Sequence, residues 1–158
     1  MDLGLNDKRA LVLAASSGLG RATALELARE GARVALCSRD LQRAVAAADE
    51  IRERTGGDVK AYEADVADPE SLEALFNDVA GDLGGLDVLV TNAGGPPPGG
   101  FAGTDEAAWD RAYRLTLQSV VRSARLALPH LKAAGGGSIL ALASSSVVQP
   151  IPNLLLSN

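Results

Sequence analysis

Ala10-Leu11-Val12-Leu13-Ala14-Ala15-Ser16-Ser17-Gly18-Leu19-Gly20 is the stretch on which the fold turns. A short apolar run leads straight into a turn of small residues, and beyond the turn the periodicity changes. Ala22, Leu25 and Ala28 recur at helical spacing, so residues 10–13 read as a strand and 18–30 as a helix that Gly31 stops. A glycine turn placed between a strand and a helix has its own chemistry. The first N–H groups of a helix have no partner within it, and its dipole is positive there. Glycine lets a pyrophosphate come close to that backbone. The same residues also suit a tight turn without a ligand, and the turn alone leaves both readings open.

Outward from this unit the alternation repeats. Residues 33–38 read as a second strand, 41–54 as a helix and 59–63 as a third strand. Asp68 and Pro69 open a helix to about residue 83, with Asp68 as N-cap and Pro69 at the first helical position. Residues 87–90 form a fourth strand, and 94–103, rich in Gly and Pro, a loop. Thr104 or Asp105 caps one long helix ending near Lys132, and 138–142 is a fifth strand. Strand–helix alternation with right-handed crossovers predicts an α/β, Rossmann-type, doubly wound parallel sheet in the order 3-2-1-4-5. Nothing divides the chain, so 1–158 is expected to be one dinucleotide-binding unit. Past residue 142 an apolar loop reaches no further element before Ser157-Asn158, and the unit is expected to be the N-terminal part of a longer single domain.

Composition narrows the class. Hydrophobic residues make up 47% and aromatics 3%, so the core rests on Ala, Val, Leu and Ile, which suits buried parallel strands. A net charge of −5 without a basic stripe argues against nucleic acid as a partner. No apolar run approaches the ~20 residues of a membrane span. Met1-Asp2-Leu3-Gly4-Leu5 lacks the charged and apolar regions of a secretory signal. Cys37 is the sole cysteine and reads as a buried strand residue, which fits a reducing, cytoplasmic location. No metal site is expected.

Four motifs now line up in chain order. They are the turn from Val12 to Gly20, Asp65-Val66 after the third strand, Asn92-Ala93-Gly94-Gly95 after the fourth, and Ser144 after the fifth. In sequence and spacing they resemble the short-chain dehydrogenase/reductase family, and its acyl-carrier-protein reductase-like members most. The resemblance implies a nicotinamide dinucleotide on Ala14, Ser16, Ser17, Gly18, Leu19 and Gly20. It also implies adenine against Asp65 and Val66, and ribose above Asn92, Ala93 and Gly94. Two positions depart from the family: Ala14 stands in place of its first glycine and Leu13 in place of a threonine. Ser38 occupies the position of the acid that selects NAD, and Arg39 follows it. A guanidinium matches a 2′-phosphate in charge and shape, so NADP(H) is favoured over NAD(H).

The family's reaction moves a hydride between nicotinamide and a carbonyl or alcohol carbon, with a tyrosine handling the proton in the pattern S-x12-Y-x3-K. Counting from Ser144, the tyrosine position holds Ser157 and the lysine position, 161, lies past the last residue given. The family's helix asparagine aligns with Thr116. Ser144, Ser157 and Thr116 are therefore the candidate catalytic residues of an NADP(H)-dependent oxidoreductase with an altered proton donor. A cofactor-binding sensor or partner subunit with weak or no chemistry is the competing reading. The resemblance also implies a homo-oligomer, dimer or tetramer, associating through the long helix.

Overall fold

The computed structural model describes residues 3–158, so Met1 and Asp2 of the amino-terminal stretch lie outside the described residues. The chain runs β1 (Arg9–Val12), α1 (Gly18–Arg29), β2 (Arg33–Ser38), α2 (Leu41–Thr55), β3 (Val59–Glu63), α3 (Pro69–Leu83), β4 (Val88–Thr91), α4 (Glu106–Tyr113), α5 (Ser119–Ala133) and β5 (Ser138–Ala141). The five strands form one parallel sheet in the order β3-β2-β1-β4-β5, as the alternation predicts.

Alternation of side chains across the pleat divides the core in two. Leu11 and Leu13 point with Ala35 and Cys37 to one face, where Leu72, Phe76 and Val79 of α3 and Ala127 and Leu131 of α5 cover them. Val12, Val34 and Leu36 point to the other, under Ala24 and Ala28 of α1 and Ala44, Ala48 and Ile51 of α2. Alanines on α1 and α2 bring both helices close to the sheet. Each large aliphatic side chain buried this way contributes roughly 1.5–3 kcal/mol. At the foot of the sheet Asp87 accepts from Arg9 Nε at 2.7 Å, Arg9 Nη2 at 3.1 Å and the Arg9 backbone N–H at 2.9 Å, tying β1 to β4.

Three features differ from the sequence reading. β1 and β4 are displaced by one residue, to 9–12 and 88–91, and the loop 94–103 ends in a 3-10 turn, Phe101–Gly103. The long helix runs through but widens in the middle. Asp105 caps α4, accepting from Ala108 N–H at 2.7 Å, and a π turn, Arg114–Gln118, joins α4 to α5. Thr116 Oγ1 donates to the Ala112 carbonyl at 2.7 Å and Ser119 Oγ to the Leu115 carbonyl, so hydroxyls crowd the backbone ladder where it widens. Finally, the last segment forms a 3-10 turn, Ser145–Val147, and then docks on the loop 94–103: Leu154 bridges Gly99 in parallel, and Gly99 N–H donates to the Asn153 carbonyl at 2.7 Å.

Candidate functional site

The carboxyl ends of β1 to β4 open into a cleft of about 850 Å³, within the usual size of a small-molecule or cofactor site. Its floor is the β1–α1 turn. Ala14 has φ +48 and Gly18 φ +57, so the chain passes through the left-handed region in the turn and again at the first residue of α1. The hydroxyl of Ser17, the N-cap, makes no capping bond, leaving the first N–H groups of α1 directed at the cleft without a side-chain acceptor.

Gly20 lies below the turn and does not line the cleft. A Cβ there would sit 2.8 Å from Asn92 Nδ2, 2.9 Å from the Ala14 carbonyl and 3.0 Å from Ala15 Cα. Asn92 Nδ2 itself donates to the Ala14 carbonyl at 3.0 Å. Gly20, Asn92 and Ala14 thus interlock, and the glycine permits close packing of α1 on the ends of β1 and β4. Cys37 is buried next to this turn, where burial pushes its thiol up to about 11 and leaves it unreactive.

Of the residues proposed from sequence to hold a dinucleotide, Ala14, Ser16, Ser17, Gly18 and Leu19 line the cleft together with Ser38, Arg39, Asp65, Val66, Asn92, Ala93 and Gly94. Asp65 Oδ1 accepts from the Ala67 N–H at 2.9 Å, and the Asp65 N–H donates to Ser71 Oγ at 3.0 Å, which sets the loop after β3. Asp40 is exposed and caps α2 by accepting from the Arg43 N–H at 3.1 Å, with no ion pair to Arg39.

The cleft also includes residues that the sequence reading passed over. Arg43 lies one turn into α2, and Ala108, Arg111, Ala112, Arg114 and Leu115 form the wall from α4 and the π turn. Residues 108, 111, 112 and 115 fall at helical spacing on one face, the signal that could have revealed this wall.

The three candidate catalytic residues do not line the cleft. Thr116 is exposed, with its hydroxyl bonded to its own helix. Ser144 Oγ accepts from the Ser146 N–H at 3.1 Å and heads the 3-10 turn Ser145–Val147. Ser146 is buried, and its hydroxyl donates to the Ser157 carbonyl at 3.3 Å, so the segments carrying Ser144 and Ser157 lie against each other. Neither tyrosine joins them. Tyr62 on β3 donates to Asp82 at 2.7 Å, and burial with that bond pushes its phenol up, away from proton exchange near neutrality. Tyr113 is exposed at the end of α4. Among the described residues no group of His, Cys, Asp or Glu could hold a metal ion.

The sequence pattern described as short chain dehydrogenase matches residues 8–156. The chain is 37% identical over 147 residues to a 3-oxoacyl-[acyl-carrier-protein] reductase of Staphylococcus aureus, covering 92% of this chain and 58% of that protein. Its fold superimposes on L-sorbose reductase from Gluconobacter frateurii, complexed with NADPH and L-sorbose. The TM-score is 0.96 at 35% identity, over 100% of this chain and 60% of that one. An NADH-dependent reductase complexed with NAD superimposes with a TM-score of 0.90 at 31% identity, over 99% and 68% of the two chains. The chain thus spans less than two thirds of the length of the first two. With that pattern running along nearly its whole length, over the sheet order and strand-end cleft described above, the chain belongs to the short-chain dehydrogenase family.

Proposed function

We propose that the chain is the dinucleotide-binding part of an NADP(H)-dependent oxidoreductase acting on a carbonyl or hydroxyl compound. The observation that carries this reading is the convergence of the β1–α1 turn, Ser38-Arg39, Asp65-Val66 and Asn92-Gly94 on one cleft. The residues fit the group. A helix N-terminus without a side-chain acceptor suits a pyrophosphate. No acid stands where a ribose 2′-phosphate would be repelled, and the Arg39 guanidinium has no partner among the described residues. When bound, the cofactor supplies the hydride. The protein's share is to hold the dinucleotide in the cleft and to manage a proton. Ser157 holds the family's tyrosine position but stands outside the cleft lining, so its hydroxyl serves the site through a bridging water, with solvent as the proton source. Residues 1–158 act as one unit, assemble as a homo-oligomer and work in the cytoplasm.

The test is NADPH oxidation with a panel of ketones and aldehydes. Ser157→Tyr should raise the rate if the missing phenol limits turnover, by up to about 10²–10⁴-fold, and Ser157→Ala should lower it. A second reading, a cofactor binder without chemistry, draws on the Thr116 and Ser144 hydroxyls, both occupied by their own backbone turns. Unchanged rates in both Ser157 variants, with cofactor binding intact, would favour it.

A further inference from the structure

The arginines of this acidic chain fall into two groups. Arg9, Arg21, Arg29, Arg33, Arg52 and Arg54 form ion pairs, and Arg122 donates to Gln118 and the Ala67 carbonyl. Among the described residues, the guanidinia of Arg39, Arg43, Arg111, Arg114 and Arg125 have no hydrogen bond or ion pair, and all but Arg125 line the one cleft. Arg39 immediately precedes the N-cap of α2, and Arg43 lies in the first turn of that helix. The carboxylate between them, Asp40, is spent on the helix end. Elsewhere on the same helix Arg52 pairs with Asp49 and Arg54 with Glu50. Neither guanidinium has an ion-pair partner among the described residues, and the positive end of the α2 dipole lies beside them. An anion placed between them meets the dipole's positive end and gains charged hydrogen bonds from both.

We infer that Arg39 and Arg43 form a two-guanidinium clamp for the 2′-phosphate of the dinucleotide, which makes Arg43 a second specificity-determining residue. This rests on the NADP(H) reading above and assigns its discrimination to a residue from inside α2. Ser38, whose Oγ accepts from the Asp40 N–H at 3.3 Å, places a hydroxyl and not a carboxylate at the end of β2.

The experiment is titration of the full chain with NADPH, NADH, 2′,5′-ADP and 5′-AMP, in wild type, Arg39→Ala, Arg43→Ala, the double variant and Arg43→Lys. Arg125→Ala serves as the control for an arginine without a partner outside the cleft. Arg43→Ala should weaken NADPH and 2′,5′-ADP by about tenfold or more, while NADH and 5′-AMP stay within about twofold. Arg43→Lys should recover part of the loss, and the double variant should bind NADPH and NADH alike. If the wild type prefers NADPH and Arg43→Ala preserves that preference, the clamp is wrong and the cofactor reading survives. If the wild type binds NADH as tightly as NADPH, and 5′-AMP as tightly as 2′,5′-ADP, the cofactor reading itself falls. Thermal melting of each variant separates lost contacts from lost structure: a loss confined to the phosphorylated ligands at unchanged melting temperature supports the clamp, and an equal loss of all four ligands overturns it.

Discussion

Ala14 holds φ +48 in the turn where the family's pattern has a glycine. A side chain in the left-handed region costs about 1–2 kcal/mol, more than the roughly 0.4–1 kcal/mol of extra chain entropy a glycine loses on folding. Ala14→Gly should therefore stabilise the protein by up to about 1 kcal/mol, measured as a higher urea midpoint at unchanged slope. Ser123 offers a second site of this kind. It is fully buried on α5, and its hydroxyl has no partner among the described residues. An unpaired buried hydroxyl costs about 1–3 kcal/mol, so Ser123→Ala should also raise stability, and a fall in the denaturation midpoint would show a hydrogen bond at that oxygen. Gly20 responds in the opposite sense. An added Cβ would press on Asn92 and the Ala14 carbonyl, and Gly20→Ala should cost about 1–3 kcal/mol and weaken any cofactor held by the turn.

Elements are joined by a few directed contacts, and the link between β1 and β4 is the clearest. Arg9 holds the Asp87 carboxyl below its ordinary range by hydrogen bonding, which burial opposes without overcoming. A carboxylate with a depressed folded pKa contributes stability that is complete above its unfolded value, about 3.9, and lost as pH falls through the folded value. Asp87→Asn should cost about 1.5–3 kcal/mol at neutral pH, and the gap to wild type should close in acid below about pH 4. A constant gap across that range would remove the ion pair from the account. The elements themselves were largely legible in the sequence. Apolar runs and caps such as Asp68-Pro69 act locally, and local signals survive without tertiary context. The one-residue displacement of β1 was not legible, because Arg9 joins the strand through Asp87, far along the chain. The π turn was also hidden, since Thr116 and Ser119 read as ordinary helix residues until their hydroxyls bond back to the ladder. In the site, turn residues were readable from their type. Arg43 and Arg111 were not, because an arginine on a helix looks the same whether it faces solvent or a cleft.

For the whole molecule, the decisive quantity is the apolar surface left on one side. Trp109, Tyr113, Leu117, Val121 and Leu128 are exposed along α4, the π turn and α5. Such a stripe exceeds what scattered surface residues show and marks an interaction face. Val121→Glu should shift the protein to smaller species in light scattering, with an unchanged far-ultraviolet spectrum. A monomeric wild type would refute the expectation of self-association.

The outermost strand carries a different liability. Among the described residues β5 pairs with β4 alone, and Ile139 and Leu140 on it are 40% and 50% exposed. Within residues 3–158 its outer margin offers a row of amides and carbonyls at the repeat spacing of a strand, the geometry on which a further strand, of this or another chain, can pair. For a protein of these 158 residues alone the expected behaviour is colloidal: turbidity that grows steeply with protein concentration and binds amyloid dyes, while dilute samples stay clear. A charge at the strand, as in Leu140→Lys, should lengthen the lag before turbidity without moving the cleft, whose walls are built at the far side of β4.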